Sequence, residues 1–153
     1  MDNNNGYNSK ILLQLFVIRV YIGLDFIHHF AEKFGYLGYD AFINVSNYFS
    51  SIGFGSHMVF LAGIFELIGF IGFTFGLFTR FTAITMCVYL LAALFSGNHQ
   101  HFGFTWANPG GGWEFPLFWA FMCLSFVLTG GGKWSMDSIL KPKLPGKLKF
   151  LCI

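Results

Sequence analysis

The chain has 153 residues, of which 55% are hydrophobic, 21% aromatic and only 10% charged. Soluble domains carry about 25% charged residues, so this composition excludes an ordinary water-soluble core and points to a single membrane domain. The formal net charge of +2, with the basic residues gathered in the tail, gives no footing for nucleic-acid binding.

The start, MDNNNGYNSK, is polar, and no small-residue cleavage site follows the first apolar run. The first span, residues 11–30, is therefore expected to be a retained helix rather than a removed signal peptide. From Arg19 onward it is unusually polar, with Asp25, His28 and His29, followed by Glu32 and Lys33. Residues 34–56 are polar enough to leave the lipid, yet they hold Tyr36, Tyr39, Phe42, Tyr48, Phe49 and Phe54. This mixture predicts an interfacial segment, one short helix lying on the bundle. The second span, residues 57–78, reads HMVFLAGIFELIGFIGFTFGLF. Such a run crosses a bilayer, since about 20 residues at about 1.5 Å each cover the ~30 Å hydrocarbon layer. The third span, residues 81–95, follows Thr79-Arg80. The fourth, residues 115–129, is short; Glu114-Phe115-Pro116 open it and Gly130-Gly131-Gly132 close it. Pro116 suits a first helical turn, where its missing N–H is not needed. Residues 141–153 form a flexible basic tail, either an anchor on an anionic leaflet or a solvated end.

Loop charge sets the orientation. Lys10, Arg80 and the group Lys133, Lys141, Lys143, Lys147 and Lys149 fall on one side. Both termini are thus expected in the cytoplasm, with residues 34–56 and 97–113 on the far side. The expected fold is all-α, a four-helix transmembrane bundle in one domain.

Glu66 is the one formal charge in the second span. A carboxylate at mid-depth costs about 2.5–3.5 kcal/mol on insertion scales unless it is paired, protonated or facing a polar interior. Ala62, Glu66, Gly69 and Gly76 return to one helix face, and Gly72 and Gly76 add a small-residue pair, so Glu66 is expected to point into a protein contact. Its nearest opposite charge by depth is Arg19, which predicts a buried Arg19–Glu66 pair. Such a pair either fixes helix register or, with Gly69, flanks a quinone or another apolar substrate, Glu66 handling its proton.

A second polar group gathers toward the far side: Asp25, His28, His29, Glu32, Lys33, His57, His99, His101 and Glu114, near Trp106 and Trp113. Histidines and carboxylates together can relay protons near neutral pH. The catalytic candidates are therefore Glu66, Arg19, Asp25, His99 and Glu114. His99 and His101 are the nearest approach to metal ligands, but His-Gln-His is not a zinc spacing, and no metal is expected. Cys87, Cys123 and Cys152 form no CxxC pair; Cys87 and Cys123 either face each other across antiparallel spans or serve as small apolar packing residues. Asn108–Trp113 (NPGGGW) and Gly130–Lys133 (GGGK) suit a turn and a helix stop, not phosphate loops. The sequence offers no haem CxxCH, iron–sulfur cysteine set or dinucleotide fingerprint, so electron transfer would require a partner.

Several stretches carry a further signal: ELIGFIGFTFGLFTRFTA at residues 66–83, NHQHFGF, GGWEFPLF, GGGKWSMDSIL, and the first-span pattern Arg19, Gly23, Phe26, Lys33. Together, from about Arg19 to Leu140, they resemble the DoxX-like family of small four-helix integral membrane proteins, mostly bacterial. The resemblance implies a multi-pass protein of the bacterial inner membrane, with association with redox enzymes. One branch contributes a small subunit to a thiosulfate:quinone oxidoreductase; others are linked to thiol and oxidative-stress systems or to maturation of exported proteins and peptides. The family's polar marks fall on Arg19, Glu66, Arg80, His99, Glu114 and Asp137. Phe70 replaces one of the paired glycines that often follow the glutamate, a departure that puts tight packing there in doubt. The expected function is an accessory subunit of a quinone-linked membrane redox assembly, with the bilayer and other membrane subunits as partners; no cofactor is demonstrable from the residues, and a quinone is the candidate. A non-catalytic scaffold and a small-molecule carrier are the alternatives.

Overall fold

The computed structural model describes residues 3–152, with no strand among them. The elements are α1 (Asn3–Lys33), α2 (Tyr39–Ser51), α3 (Ser56–Phe75), α4 (Thr79–Ser96), a 3-10 turn at His99–His101, α5 (Glu114–Thr129) and α6 (Met136–Leu140), followed by 3-10 turns at Lys141–Lys143 and Gly146–Cys152. Three helices are long and apolar enough to cross a membrane: α1 from Asn8, α3 and α4. Helix α5 is apolar but shorter; its 16 residues at about 1.5 Å each reach about 24 Å, less than the ~30 Å of a hydrocarbon core. Outward-facing Val17, Ile64, Val88, Phe121 and Leu128 give the helices an apolar exterior, as a lipid-facing surface requires. Residues 141–152, expected as a flexible tail, form 3-10 turns seated against α4 and α6, with Cys152 buried.

The core gathers Ile22 and Phe26 of α1, Phe73 of α3, Ala83 and Met86 of α4, and Trp119, Cys123 and Phe126 of α5. Close backbone approach makes it possible. A Cβ at Gly23 would collide with Thr74, and one at Gly72 with the side chain of Thr82, so small residues set both the α1–α3 and the α3–α4 contacts. Phe70 lies outside the α3–α4 approach and packs its ring against Phe30 of α1, 5.6 Å between centroids. The family's missing glycine therefore leaves the tight contact intact.

One end of the bundle is held by charges bonded to backbone. Arg19 is 1% exposed. Its guanidinium donates to the carbonyls of Phe73, Thr74 (3.1 Å) and Trp134 (2.6 Å), and it lies over the Phe16 ring at 5.6 Å. The last carbonyls of a helix have no intrahelical donor and carry its negative dipole end, so a buried cation suits the C-terminus of α3. The Arg19–Glu66 pair expected from depth does not form; Arg19 is spent on these carbonyls. Across the α3–α4 turn, Asp137, also 1% exposed, does the converse. Its carboxylate accepts from Phe78 N (2.6 Å) and Thr79 N (2.8 Å), the unsatisfied donors at the start of α4, while its own N–H donates to Gly76 O at 2.9 Å. The turn needs left-handed backbone at Gly76 (φ 64°), and a Cβ there would also meet Ser135 and Arg19. Arg80 closes the adjacent end of α5 by donating to Leu128 O at 3.0 Å.

Replacing Asp137 with Ala strips two N–H groups of their acceptor, and each orphaned buried donor costs about 1–3 kcal/mol. The variant is expected to unfold at lower temperature in detergent, read by circular dichroism; a melting curve that overlays the parent's would remove this role. Burial and a hydrogen bond with Asp137 push the Cys152 thiol up to about 11, against about 8.5 for an unfolded cysteine. The folded state keeps the proton longer, so this stabilising contribution is full below about pH 8.5 and is lost as pH rises through about 11. Thermal stability should fall less across that window in Cys152→Ala than in the parent.

Candidate functional site

Helices α1 and α3 run antiparallel, with Gly23 against Thr74 and Lys33 against Gly63. This register carries the last turn of α1 to Glu66. Gly63 makes room: a Cβ there would stand 3.2 Å from both Lys33 Cβ and the Phe34 ring. The Lys33 ammonium, on a residue 5% exposed, forms an ion pair with Glu66 Oε1 at 3.0 Å and donates to Glu32 Oε1 and His29 O, each at 3.2 Å. Tyr89 of α4 donates its hydroxyl to the same Glu66 oxygen at 2.7 Å, its ring stacked on Phe65 at 5.7 Å. Glu66 Oε1 thus meets both the ammonium and the phenol hydroxyl, while Oε2, buried, has no hydrogen-bond partner. Burying two opposite charges is tolerable only when the remaining hydrogen bonds are also met, and Tyr89, Glu32 and the His29 carbonyl meet most of them.

Beside this cluster lies a half-open cavity of about 660 Å³ lined by all four long helices, α2 and the His99–Trp106 loop. Phe26, Phe65 and Trp119 contribute aromatic wall, and Lys33, Glu66 and Tyr89 form a polar patch on it. A second cavity of about 440 Å³ shares His29, Lys33, Tyr48 and His99 with the first and adds Glu32, Gly110 and Gly111. Pockets of this size, mainly apolar with a few convergent polar groups, are the usual form of a small-molecule site. His99 Nδ1 is 2.8 Å from Gly111 O. A carbonyl only accepts, so Nδ1 is assigned the proton. In the neutral ring Nε2 is then an acceptor, 3.5 Å from the Tyr48 hydroxyl. Burial pushes the Tyr48 phenol above its ordinary range, which keeps it a donor.

The sequence candidates separate. Glu66, Asp25 and His99 line the large cavity. Arg19 is at the far end of α3, and Gly69 is covered by Phe26 and Met86, so the Arg19–Glu66–Gly69 grouping is replaced by Lys33, Glu66 and Tyr89. Glu114 is exposed; its carboxylate accepts from Trp106 N at 3.1 Å and fastens the loop before α5. His28, His57 and His101 are exposed. Among the described residues no three His, Cys, Asp or Glu side chains gather as metal ligands. Cys87 and Cys123 are free and buried. Sequence reasoning missed Tyr89 and Trp119 as site residues and Lys33 as the partner of Glu66. For Lys33 a signal existed, since it is the one cation near the end of the first span (residues 11–30).

The DoxX family profile matches residues 14–99, a stretch that holds Arg19, Lys33, Glu66, Tyr89 and His99. The chain is similar to two proteins of Haemophilus influenzae, each described as an uncharacterized protein. One is 26% identical, over 91% of this chain and 92% of the relative. The other is 30% identical, over 90% and 96%. No solved structure gives a significant match.

Removing the cation alone leaves Glu66 buried and uncompensated, so Lys33→Met should cost about 3–5 kcal/mol of stability. Lys33→Met combined with Glu66→Leu should recover most of that loss in the same thermal scan. Equal melting temperatures for the single and double variants would show that the pair contributes nothing to the fold.

Proposed function

Because the chain belongs to the DoxX family of small membrane proteins, we propose that it is an accessory subunit of a quinone-linked membrane redox assembly and holds the quinone in the cavity beside Glu66. In this reading α1, α3, α4 and the shorter α5 all cross the bacterial inner membrane, with both termini in the cytoplasm. Lys10, Arg80 and the lysines from Lys133 to Lys149 support that orientation.

The observation that carries the reading is an apolar cavity of about 660 Å³ with a buried carboxylate and ammonium and a half-buried phenol on its wall. An aromatic ring with polar oxygens and an apolar tail fits such a wall. Phe26, Phe65 and Trp119 contact the ring and exclude water. Lys33 and Tyr89 hold Glu66 in place on the cavity wall. His99, Tyr48 and Glu32, at the smaller cavity, stand where protons reach the site from water. A bound quinone supplies two-electron, two-proton chemistry, and the electrons come from a partner redox protein of the assembly. The second reading is a scaffold without a ligand, favoured by outward-facing Phe118, Phe121 and Leu128 on the short α5, a face that a neighbouring subunit would cover.

Ala93 lines the cavity and is only partly buried, so Ala93→Phe fills space in it, one helical turn from Tyr89. Calorimetry on the purified protein in nanodiscs should detect a decyl-chain benzoquinone or its reduced form, and Ala93→Phe should abolish the signal. A parent that binds neither form, while co-purifying in fixed ratio with a larger complex, would favour the scaffold.

A further inference from the structure

The chain beyond α5 presents one sign of charge. From Gly130 to Cys152 it carries Lys133, Lys141, Lys143, Lys147 and Lys149, and its one acid is Asp137. Asp137 is 1% exposed and bonded to the start of α4, so its carboxylate is not a surface group. Lys133, Lys143, Lys147 and Lys149 are exposed. Among the described residues none of the five lysines forms an ion pair. Interleaved with them are large apolar side chains that the fold leaves uncovered: Trp134, Met136, Ile139 (64% exposed), Leu148 and Phe150 (59%).

This segment is held where two membrane-length helices meet. Trp134 O accepts from Arg19 of α1, and the Trp134 ring meets the Phe16 ring edge-on at 5.5 Å. Asp137 completes the first N–H groups of α4 and bonds Gly76 at the end of α3. The Gly146–Cys152 turn is seated on α4 and α6, with Cys152 2% exposed. The lysines and their apolar neighbours are therefore displayed from a folded segment beside the α3–α4 turn. Since α3 and α4 are each long and apolar enough to cross a membrane, their shared turn stands at a bilayer–water boundary. Tryptophan is enriched at that depth, and lysines mixed with exposed apolar side chains are the composition of a segment lying in the headgroup layer.

We propose that residues 133–152 form an interfacial anchor that binds the anionic phospholipid headgroups of the leaflet at the α3–α4 turn. The leaflet complements both parts of the surface. Its phosphates accept from the ammonium groups, and its acyl boundary covers Trp134, Ile139, Leu148 and Phe150. The lysine stems lie along these apolar neighbours while the charged ends reach the headgroups. An acidic protein would match the charge alone. The leaflet is also already adjacent, because the same chain spans it, so no separate association step is needed. This inference does not draw on any occupant of the cavity.

The test offers phosphatidylglycerol, phosphatidylcholine or inorganic phosphate to the full chain in detergent and measures what stays bound by native mass spectrometry. The parent should hold phosphatidylglycerol about tenfold or more tightly than phosphatidylcholine, each basic residue near an anionic surface contributing about fivefold. The preference should shrink as salt rises, because exposed charges are screened. Lys133, Lys143, Lys147 and Lys149 changed together to Gln should lose most of the preference while keeping the parent's phosphatidylcholine binding and melting temperature. Leu148→Gln with Phe150→Gln should weaken phosphatidylglycerol binding with every lysine in place, which a purely ionic contact would not show. Equal retention of the two lipids by the parent, or a preference undiminished by the lysine changes, overturns the anchor. So does inorganic phosphate held in place of lipid, or an acidic protein whose co-purification follows the lysines while neither lipid does.

Discussion

The rest of the structure depends on the way Arg19 and Asp137 complete the backbone at the α3–α4 turn. A helix end leaves carbonyls or N–H groups without partners, and in a lipid environment water does not supply them. Here a cation from α1 serves the carbonyls that end α3, and an anion at the start of α6 serves the N–H groups that begin α4. Because Arg19 also bonds Trp134 and Asp137 also bonds Gly76, one set of contacts joins α1, α3, α4 and the segment after α5. The register fixed there, with Gly23 against Thr74, extends along α1 to place Lys33 against Gly63 and beside Glu66.

The polar residues thus divide by what they bond. Arg19, Arg80, Glu114 and Asp137 bond backbone groups and hold turns and helix ends. Glu66 and His99 instead face a cavity. The first group explains why the Gly-Leu-Phe-Thr-Arg turn and the Gly-rich stretch before Asp137 belong together: a Cβ at Gly76 would meet Ser135, and one at Gly131 would meet Thr79, each from the other segment. In the second group Glu66 Oε2 has no hydrogen-bond partner, whereas His99 is held by the Gly111 carbonyl and the Tyr48 hydroxyl.

Helix α2 completes the enclosure. It has no buried residue of its own, yet Tyr48 and Phe49 lie on the cavity wall. Its contacts are with α1 and α3, and Tyr48 reaches the His99 loop on the other side. A segment that is too polar for lipid and too aromatic for water thereby covers an apolar space that the long helices leave open.

The sequence by itself determined the helical runs, the glycine stops, the shortness of α5 and the need for Glu66 to face protein, because hydropathy and the cost of a charge in an apolar run act locally. It did not determine which cation meets Glu66. Depth counted from span ends aligns Arg19 with Glu66, whereas the α3–α4 turn captures Arg19 and shifts Lys33 into that place. Nor could it single out Trp119 or Tyr89, whose apolar surroundings read as ordinary packing. Only the tertiary structure decided which polar and aromatic side chains line one cavity, since that depends on helix register and on which hydrogen bonds the neighbouring backbone has already used.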